Sequence, residues 1–165
     1  MITFRETGIE GLDIIRRLAY AIWPSAYTEI LGGDQVKYML NNFYSVSSLQ
    51  NQVNILKHQL IIVSDEEDPV GFASFSAHAD DPTVYHLNKI YVLPAQQGKY
   101  IGRQILDYIA DRIKSNGACS LQLNVNRYNK ALHFYEKYGF TIIKEEDIDI
   151  GDGYFMNDYV MELDL

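Results

Sequence analysis

Hydrophobic residues near the start of the chain recur at intervals of three and four, the spacing of one helix face. A short strand is predicted over residues 2–5, and the helical spacing follows over residues 8–24. The apolar positions of that helix are Ile9, Leu12, Ile15, Leu18, Ala19 and Ile22. We expect the helix to end near Trp23-Pro24, because proline removes a backbone hydrogen bond from a helix interior.

Two further helices are predicted before the pattern changes. The first runs from Asp34, a candidate N-cap, to Tyr44, and the second begins at Ser45 or Ser47 and ends near Lys57. Beyond that point the apolar residues form short runs separated by turns. Strands are predicted over residues 60–64, 70–78, 84–93, 121–126, 141–148 and 154–163. Helices are predicted from residue 101 to a stop at Asn116-Gly117 and from 129 to 138.

The resulting order is β-ααα-β-β-β-α-β-α-β-β, which predicts an α/β domain with a mixed sheet. The chain has 165 residues, 47% of them hydrophobic, enough for one domain with its own core. It contains no linker, repeat or low-complexity segment. We therefore expect one domain spanning residues 1–165.

The segment between the strand 84–93 and the next helix has the features of an anion site. Ile101, Ile105, Ile109 and Ile113 share one helix face, so the helix begins directly after a polar loop. Its first backbone N–H groups and the positive end of its dipole point toward that loop. Gly98 and Gly102 permit close approach of a ligand, and Lys99 and Arg103 add positive charge. These features predict a pyrophosphate site, although a solvated loop is the plain alternative.

The spacing of the loop excludes two common phosphate motifs. The run Gln97-Gly98-Lys99-Tyr100-Ile101-Gly102 fits neither the dinucleotide-binding nor the P-loop pattern. It resembles instead the Q/R-x-x-G-x-G/A signature of the GNAT family of N-acetyltransferases. The resemblance implies that residues 97–103, from Gln97 through Arg103, hold the pyrophosphate of acetyl-CoA. The middle glycine of the signature is Tyr100 here, a departure from the family pattern.

A second stretch, residues 121–140, resembles the other half of that family's cofactor site. The positions that match are Ala131, Phe134, Tyr135, Lys137, Gly139 and Phe140. The resemblance implies that Tyr135 is the general acid that protonates the leaving thiolate of coenzyme A, a role that suits a phenol. The alternative is an ordinary core tyrosine. The family's cofactor-contacting asparagine falls on Tyr128, and Asn129, or Asn126, is expected to replace it.

The strand before the loop is implied to carry further parts of the site. Ile90 and Tyr91 would pair by main chain with the pantetheine arm, and the Val92 amide would polarise the thioester carbonyl. Many family members place a glutamate on this strand as a base, whereas the two usual positions are His86 and Asn88 here. His86 is a candidate base because an ordinary histidine pKa lies near 6.5. A histidine packed in the sheet, Asn88 and water are the alternatives.

The resemblance covers nearly the whole chain and extends to a bacterial, PaiA-like branch associated with acetylation of spermidine and spermine. It implies a GNAT-like fold: a mixed, mostly antiparallel sheet of six to seven strands, flanked by helices on both faces and splayed around the cofactor site. It also implies an acceptor pocket between the first helices and the last strands. The candidates for acceptor contact are Trp23, Tyr27, Tyr38, Tyr44 and Asp158. For the aromatic residues, ordinary packing is the favoured alternative.

Charge and composition narrow the partners. The formal net charge of −8 argues against nucleic acid, which needs a basic face, and permits a cationic substrate. No apolar run is long enough to span a membrane, and the N-terminus lacks a signal-peptide core. Cys119 is the single cysteine, expected to be buried and to form no disulfide, and the histidines lack metal-ligand spacing. We expect a cytoplasmic bacterial protein without a metal, and a homodimer is left open.

The sequence thus predicts an acetyl-CoA-dependent N-acetyltransferase that acts directly on a primary amine of a small molecule, with a polyamine as one candidate. Transfer through Cys119 is disfavoured because that residue lies away from the loop. A catalytically weak acyl-CoA-binding or sensor domain is one alternative, and acetylation of a peptide or protein amine is another. A generic nucleotide-binding α/β domain is the third.

Overall fold

The computed structural model describes residues 1–165, which form seven strands, five α-helices and two 3-10 turns. The strands are β1 (Ile2–Thr7), β2 (Gln59–Asp65), β3 (Asp68–Ala77), β4 (Val84–Val92), β5 (Ser120–Asn126), β6 (Thr141–Gly151) and β7 (Tyr154–Asp164). The helices are α1 (Leu12–Leu31), α2 (Gly33–Phe43), α3 (Val46–Asn54), α4 (Ile101–Lys114) and α5 (Ala131–Tyr138). The 3-10 turns are Ile9–Gly11 and Pro94–Gln96.

All seven strands belong to one open sheet in the order β1-β2-β3-β4-β5-β7-β6. The pairs β1–β2, β2–β3, β5–β7 and β6–β7 are antiparallel. The pair β4–β5 is parallel and runs from Val84↔Ser120 to Leu87↔Leu123. The structure confirms the predicted element order and the α/β, mostly antiparallel sheet.

The chain divides into two compact units, and the prediction of a single domain over residues 1–165 stays a prediction. Unit 1 contains residues 1–76 and 88–109, and unit 2 contains residues 77–87 and 110–165. Strand β4 and helix α4 each begin in one unit and end in the other.

Unit 1 has an apolar core built from the buried faces of helices α1, α2 and α3 and of strands β2 and β3. Its fully buried side chains include Ile15, Met39, Leu49, Leu60, Ile61, Ile62, Phe72 and Phe75. The predicted stripe of α1 is buried as expected, except for Ile9, which is exposed in the preceding turn. Burial of such side chains stabilises a fold by about 1.5–3 kcal/mol each.

Unit 2 has a smaller core, with Leu121, Leu123, Phe140, Val160 and Met161 buried. Its last strand along the sheet, β6, forms an open edge and is exposed at most positions. Cys119 is exposed, so the expectation that it is buried was wrong. It lies in the segment between α4 and β5, ahead of the buried Ser120.

Helix α1 is the largest departure from the predicted boundaries, because it continues through Pro24 to Leu31. A proline inside a helix removes one backbone donor, but residues on both sides of Pro24 hold the helix together. Trp23 is buried, and its ring packs on Tyr27 four residues later. The helix ends instead at Gly32, whose φ of 82° suits glycine.

The other helix boundaries differ by a few residues. Ser45 caps α3, because its Oγ accepts a hydrogen bond from the Ser48 amide at 3.2 Å. Asp34 is not the N-cap of α2 but lies in its first turn, where its charge suits the helix dipole. Helix α3 ends at Asn54, before the predicted limit. No helix is long and apolar enough to cross a membrane.

Candidate active site

The loop between β4 and α4 lies in unit 1 and has an unusual backbone. Gly98 has a φ of 84° and Tyr100 a φ of 61°. A side chain in this left-handed region costs about 1–2 kcal/mol, which glycine avoids. Tyr100, at the position of the signature's middle glycine, therefore adopts a positive φ, the region that glycine occupies without strain.

The loop is open to solvent on its outer surface. Residues 97–100 are exposed, and 79% of Tyr100 is accessible. Nothing lies within 4 Å of the position that a Cβ on Gly98 would take. Lys99 Nζ donates to Gln96 Oε1 at 3.0 Å, which ties the ammonium to the 3-10 turn before the loop. An exposed turn with a cation and first-turn amides fits an anionic ligand such as a pyrophosphate.

The end of β4, residues 90–92, is packed closely against β3 in unit 1. A Cβ on Gly71 would come within 2.6 Å of the Tyr91 carbonyl oxygen. Only glycine therefore allows this approach of the two backbones. Ile90, Tyr91 and Val92 are all partly exposed, so the main chain assigned to the pantetheine arm is not sealed in the core.

Tyr91 belongs to a group of rings in unit 1 that we call the aromatic cluster: Trp23, Tyr27, Tyr44, Phe72 and Tyr91. Neighbouring centroids lie 4.6–6.1 Å apart in tilted or edge-on pairs, a favourable geometry for aromatic contacts. The Tyr27 and Tyr91 hydroxyls are 2.9 Å apart.

The acceptor candidates of the first helices divide into two groups. Trp23 and Tyr44 are buried core residues, whereas Tyr27 and Tyr38 are partly exposed. Burial raises the pKa of the Tyr44 phenol well above its ordinary value, with Tyr27 adding to the rise. Tyr44 is thus a neutral packing residue at physiological pH.

Lys89 is a partly buried cation of β4 that the sequence analysis did not single out. Its Nζ donates to Gln52 Oε1 at 2.5 Å and lies 5.5 Å from the centroid of the Tyr44 ring. Burial lowers the pKa of Lys89 to about 8. A signal was present in the sequence, because period-two alternation places Lys89 on the same strand face as Tyr91, directly before the apolar run from Ile90 to Leu93.

Gln52 holds the Lys89 ammonium through an oriented side-chain amide. Its Nε2 donates to the Phe43 carbonyl at 3.0 Å and to Ser48 Oγ at 3.1 Å. Both donors of the amide are thereby used, which leaves Oε1 to face Lys89. Gln52 is buried in α3, where its position on the apolar face three residues after Leu49 was the available signal.

His86, the predicted base, lies in unit 2. Its ring centroid is 6.0 Å from that of His78. Burial lowers the pKa of His86 to about 4, His78 lowers it further, and Glu146 acts in the opposite direction. His86 is therefore neutral at pH 7 and much less basic than an ordinary histidine. Asn88, the other candidate, donates through Nδ2 to Ser76 Oγ at 3.0 Å in unit 1.

Unit 2 contains a polar network on β5, β6 and β7. Asn124 Nδ2 donates to Glu146 Oε2 at 3.2 Å and to Asp158 Oδ2 at 3.3 Å. Arg127 donates to the Asp158 carbonyl oxygen at 3.3 Å and to Asp147 Oδ1 at 2.7 Å. Burial raises the pKa of the Asp158 carboxyl, which Asn124 partly opposes. Asp158, the acceptor candidate of this unit, is thus a buried acid within a network.

Helix α5 carries Tyr135, which is buried and packs against Phe134 and Phe140 in unit 2. The two asparagines considered for cofactor contact both stabilise turns. Asn126 Oδ1 accepts from the Tyr128 amide, and Asn129 Oδ1 accepts from the Ala131 amide, each at 2.9 Å. Asn129 thus ties down the start of α5 and keeps its side-chain NH₂ group as a donor.

Several predicted site residues are grouped within one unit. Unit 1 contains Ile90, Tyr91, Val92 and the loop from Gln97 to Arg103, while His86, Asn129 and Tyr135 belong to unit 2. No group of three or more His, Cys, Asp or Glu residues could hold a metal ion.

Comparison with known proteins identifies the family. The acetyltransferase (GNAT) domain family matches residues 57–142, more than half of the chain. The uncharacterized N-acetyltransferase YuaI of Bacillus subtilis is 25% identical over 152 residues, which cover 91% of this chain and 86% of YuaI. The spermidine N(1)-acetyltransferase of Thermoplasma acidophilum is 26% identical over 156 residues, covering 92% and 93% of the two chains.

A solved structure shows the same fold. The PaiA N-acetyltransferase of Thermoplasma acidophilum, crystallised with coenzyme A, superposes with a TM-score of 0.83 at 24% identity and covers 100% of this chain and 99% of its own. These findings confirm the resemblance to PaiA-type enzymes. Since the family match includes β4, the loop and α4, the chain belongs to the GNAT family and is an N-acetyltransferase that uses acetyl-CoA.

Proposed function

We propose that this enzyme transfers the acetyl group directly onto a primary amine of a small molecule, with residues 1–165 acting as one catalytic domain. The observation that carries the proposal is the segment where β4 ends, Gly98 and Tyr100 adopt positive φ, and α4 begins. It lies inside the stretch that matches the family. Acetyl-CoA supplies an electrophilic thioester carbonyl and a thiolate leaving group.

The loop binds the acyl donor through its pyrophosphate in this proposal. The first-turn amides of α4 donate to the phosphate oxygens, and Lys99 and Arg103 contribute positive charge. The main chain of Ile90 and Tyr91 pairs with the pantetheine arm in the manner of an added strand. The Val92 amide donates to the thioester oxygen, where negative charge develops during attack.

Tyr135 acts on the leaving group. A phenol can donate its proton to a developing thiolate and hold it by a charge-assisted hydrogen bond. The ring contacts Phe134 and Phe140 and is largely buried, which restricts its orientation. This rigidity suits a proton donor, because the donor must already be oriented when the carbon–sulfur bond breaks.

The accepting amine must lose a proton before it attacks. An ordinary alkyl ammonium has a pKa near 10.4, so proton transfer to a group of pKa about 4 is uphill by about 9 kcal/mol. The role of His86 as the base therefore stays a prediction, and the low pKa that burial gives to His86 argues against it. As a neutral ring it can still accept a hydrogen bond from an ammonium.

A polyamine is the acceptor class that we favour. The net charge of −8 attracts cations, and the unit 2 network contains the carboxylates of Glu146, Asp147 and Asp158. One full-length relative is a spermidine acetyltransferase. These observations support a substrate that carries additional positive charge beyond the reacting amine.

Thiol release tests the proposal. Purified enzyme with acetyl-CoA is assayed against spermidine, spermine, kanamycin, glycinamide and a peptide with a free N-terminus. We expect turnover with at least one polyamine and weaker turnover with the others. Preference for the peptide would replace the small-molecule assignment with a protein amine.

The Tyr135→Phe variant tests the proton donor. We expect a decrease of about 10²- to 10³-fold in kcat, with acetyl-CoA affinity by calorimetry unchanged. Tyr20→Phe, at an exposed tyrosine of α1, is the matched control and should retain full activity. Equal kcat in wild type and Tyr135→Phe would remove Tyr135 from the mechanism.

A second candidate function is acyl-CoA binding without productive transfer. The low pKa of His86 favours it, since neither usual base position carries an acid. It predicts calorimetric binding of acetyl-CoA together with no thiol release from any amine of the panel.

A further inference from the structure

We propose that Lys89, and not His86, is the group that removes the proton from the accepting amine. The inference rests on the proposed function, since it assigns a base for direct acetyl transfer. Lys89 lies three residues before Val92 on the strand assigned to the thioester, and its side chain shares a strand face with Tyr91.

The surroundings of Lys89 contain no counter-ion. Its ammonium has one hydrogen-bond partner in the chain, the neutral Gln52 amide, and one aromatic face, Tyr44. Two of its three N–H donors therefore have no protein partner. A structural lysine is normally paired with a carboxylate or extended into water, because an unpaired buried charge is costly.

The two side chains that contact the Lys89 ammonium are neutral: Tyr44, directly after α2, and Gln52 of α3. Tyr91, which follows on the same face of β4, contacts Tyr27 of α1. The cation of α1 that contacts Tyr44 is Arg16, and its Nε donates to the Tyr44 carbonyl oxygen at 2.8 Å. No carboxylate forms an ion pair with Lys89, so burial alone depresses its pKa.

The basicity of Lys89 suits the reaction better than that of His86. With a pKa of about 8, roughly a tenth of Lys89 is neutral at pH 7, against about three in ten thousand for an ordinary lysine. Proton transfer from an amine of pKa near 10.4 is then unfavourable by about 10²-fold, compared with about 10⁶-fold for transfer to His86.

The proton and electron balance is complete. Neutral Lys89 takes one proton from the acceptor ammonium, and the freed nitrogen lone pair forms a bond to the thioester carbon. The carbon–sulfur bond breaks, and the thiolate takes the Tyr135 proton. The new amide gives its excess proton to the tyrosinate, directly or through water, and Lys89 returns its proton to solvent.

Substitution of Lys89 tests the proposal through the pH profile of kcat/KM, measured by thiol release between pH 6 and 9.5. Spermidine is the acceptor, or the best amine of the panel if spermidine is inactive. We expect wild type to lose activity below a pKa near 8. Lys89→Met and Lys89→Arg should both lose at least 10²-fold in kcat, because neither side chain can exchange a proton in this range.

The Gln52→Glu variant separates a base from a purely structural lysine, because the pH profile should shift only if Lys89 exchanges the proton. A carboxylate beside Lys89 stabilises the ammonium and should shift the acidic limb upward by about one to three pH units. Lys37→Met, at an exposed position of α2, is the matched control and should leave the profile unchanged. Melting temperature and acetyl-CoA binding confirm that each variant is folded.

The outcomes separate the two claims. Retention of the wild-type limb in Lys89→Met, or full activity in Lys89→Arg, would overturn the role of Lys89 while leaving acetyl transfer intact. An unmoved limb in Gln52→Glu would do the same. Absence of thiol release by wild type with every amine would overturn the proposed function and the base together.

Discussion

Strand β4 carries two partly buried basic side chains three residues apart, and the two units surround them differently. His86 in unit 2 lies near a second histidine and within the influence of the Glu146 carboxylate. Lys89 in unit 1 is surrounded by aromatic rings and one neutral amide. Burial lowers the pKa of both, to about 4 for His86 and about 8 for Lys89.

The difference shows that the same physical cause yields different chemistry in different side chains. Desolvation disfavours the charged form of each base. The ordinary pKa of histidine lies near neutrality, so burial makes the ring neutral at physiological pH and a poor proton acceptor. Lysine starts far above neutrality, so a similar shift brings it into the range where it can exchange protons.

The largest expected effect concerns the stability contribution of Lys89. Its folded pKa is depressed, so the unfolded chain binds more protons between pH 8 and 10.5, and stability rises with pH across that window. We expect this rise to be about 3 kcal/mol in wild type and absent in Lys89→Met. Urea unfolding at pH 7.5 and 10.5 measures both.

Comparison of the two proteins at each pH cancels the other groups. Tyr44 acts in the opposite direction at high pH, because burial raises its pKa, but it is common to both. A parallel pH dependence in wild type and variant would show that Lys89 is solvated. At pH 7 the free energies of unfolding of wild type and Lys89→Met should be similar. The variant avoids the cost of burying the ammonium, but it leaves Gln52 Oε1 without its donor at a cost of about 1–3 kcal/mol.

His86 should give a smaller effect in a different window. Its folded pKa is also depressed, so stability rises between pH 4 and 6.5 and the full penalty is present below pH 4. We expect His86→Gln to remove about 2 kcal/mol of this pH dependence, less than for Lys89, because the His86 ring is less completely buried than the Lys89 ammonium. His133→Gln, at an exposed position, is the control. An equal pH dependence of the unfolding free energy in wild type and His86→Gln would show that burial does not lower the pKa of His86.

The smallest effect is expected at Asp158. Its folded pKa is raised, so the folded state binds more protons and stability falls as pH rises above the ordinary aspartate range. Asp158→Asn keeps an acceptor for Asn124 and should stabilise the protein at pH 7 by about 1 kcal/mol or less. The gain should vanish near pH 3, and thermal unfolding at both pH values measures it. A loss of stability at pH 7 would show that the charge is well compensated.

The sequence predicted the element order and the loop because these depend on local patterns. Periodicity located the helices, and the glycine spacing located the turn that Tyr100 completes. The extension of α1 past Pro24 could not be predicted, since it depends on packing of Trp23 and Tyr27. The pKa values of His86 and Lys89 could not be predicted either, because they depend on burial by residues distant in sequence, such as Gln52.

The open edge formed by β6 is protected from pairing by the charged side chains that it carries. Ile142 and Ile143 are exposed on this strand, and the charges of Lys144, Glu145, Asp147 and Asp149 follow them. Charged side chains keep an unpaired edge from adding further strands. A variant of β6 that lost these charges would present the main chain of its outer edge beside two exposed isoleucines, and association of two molecules through their β6 edges would then be expected.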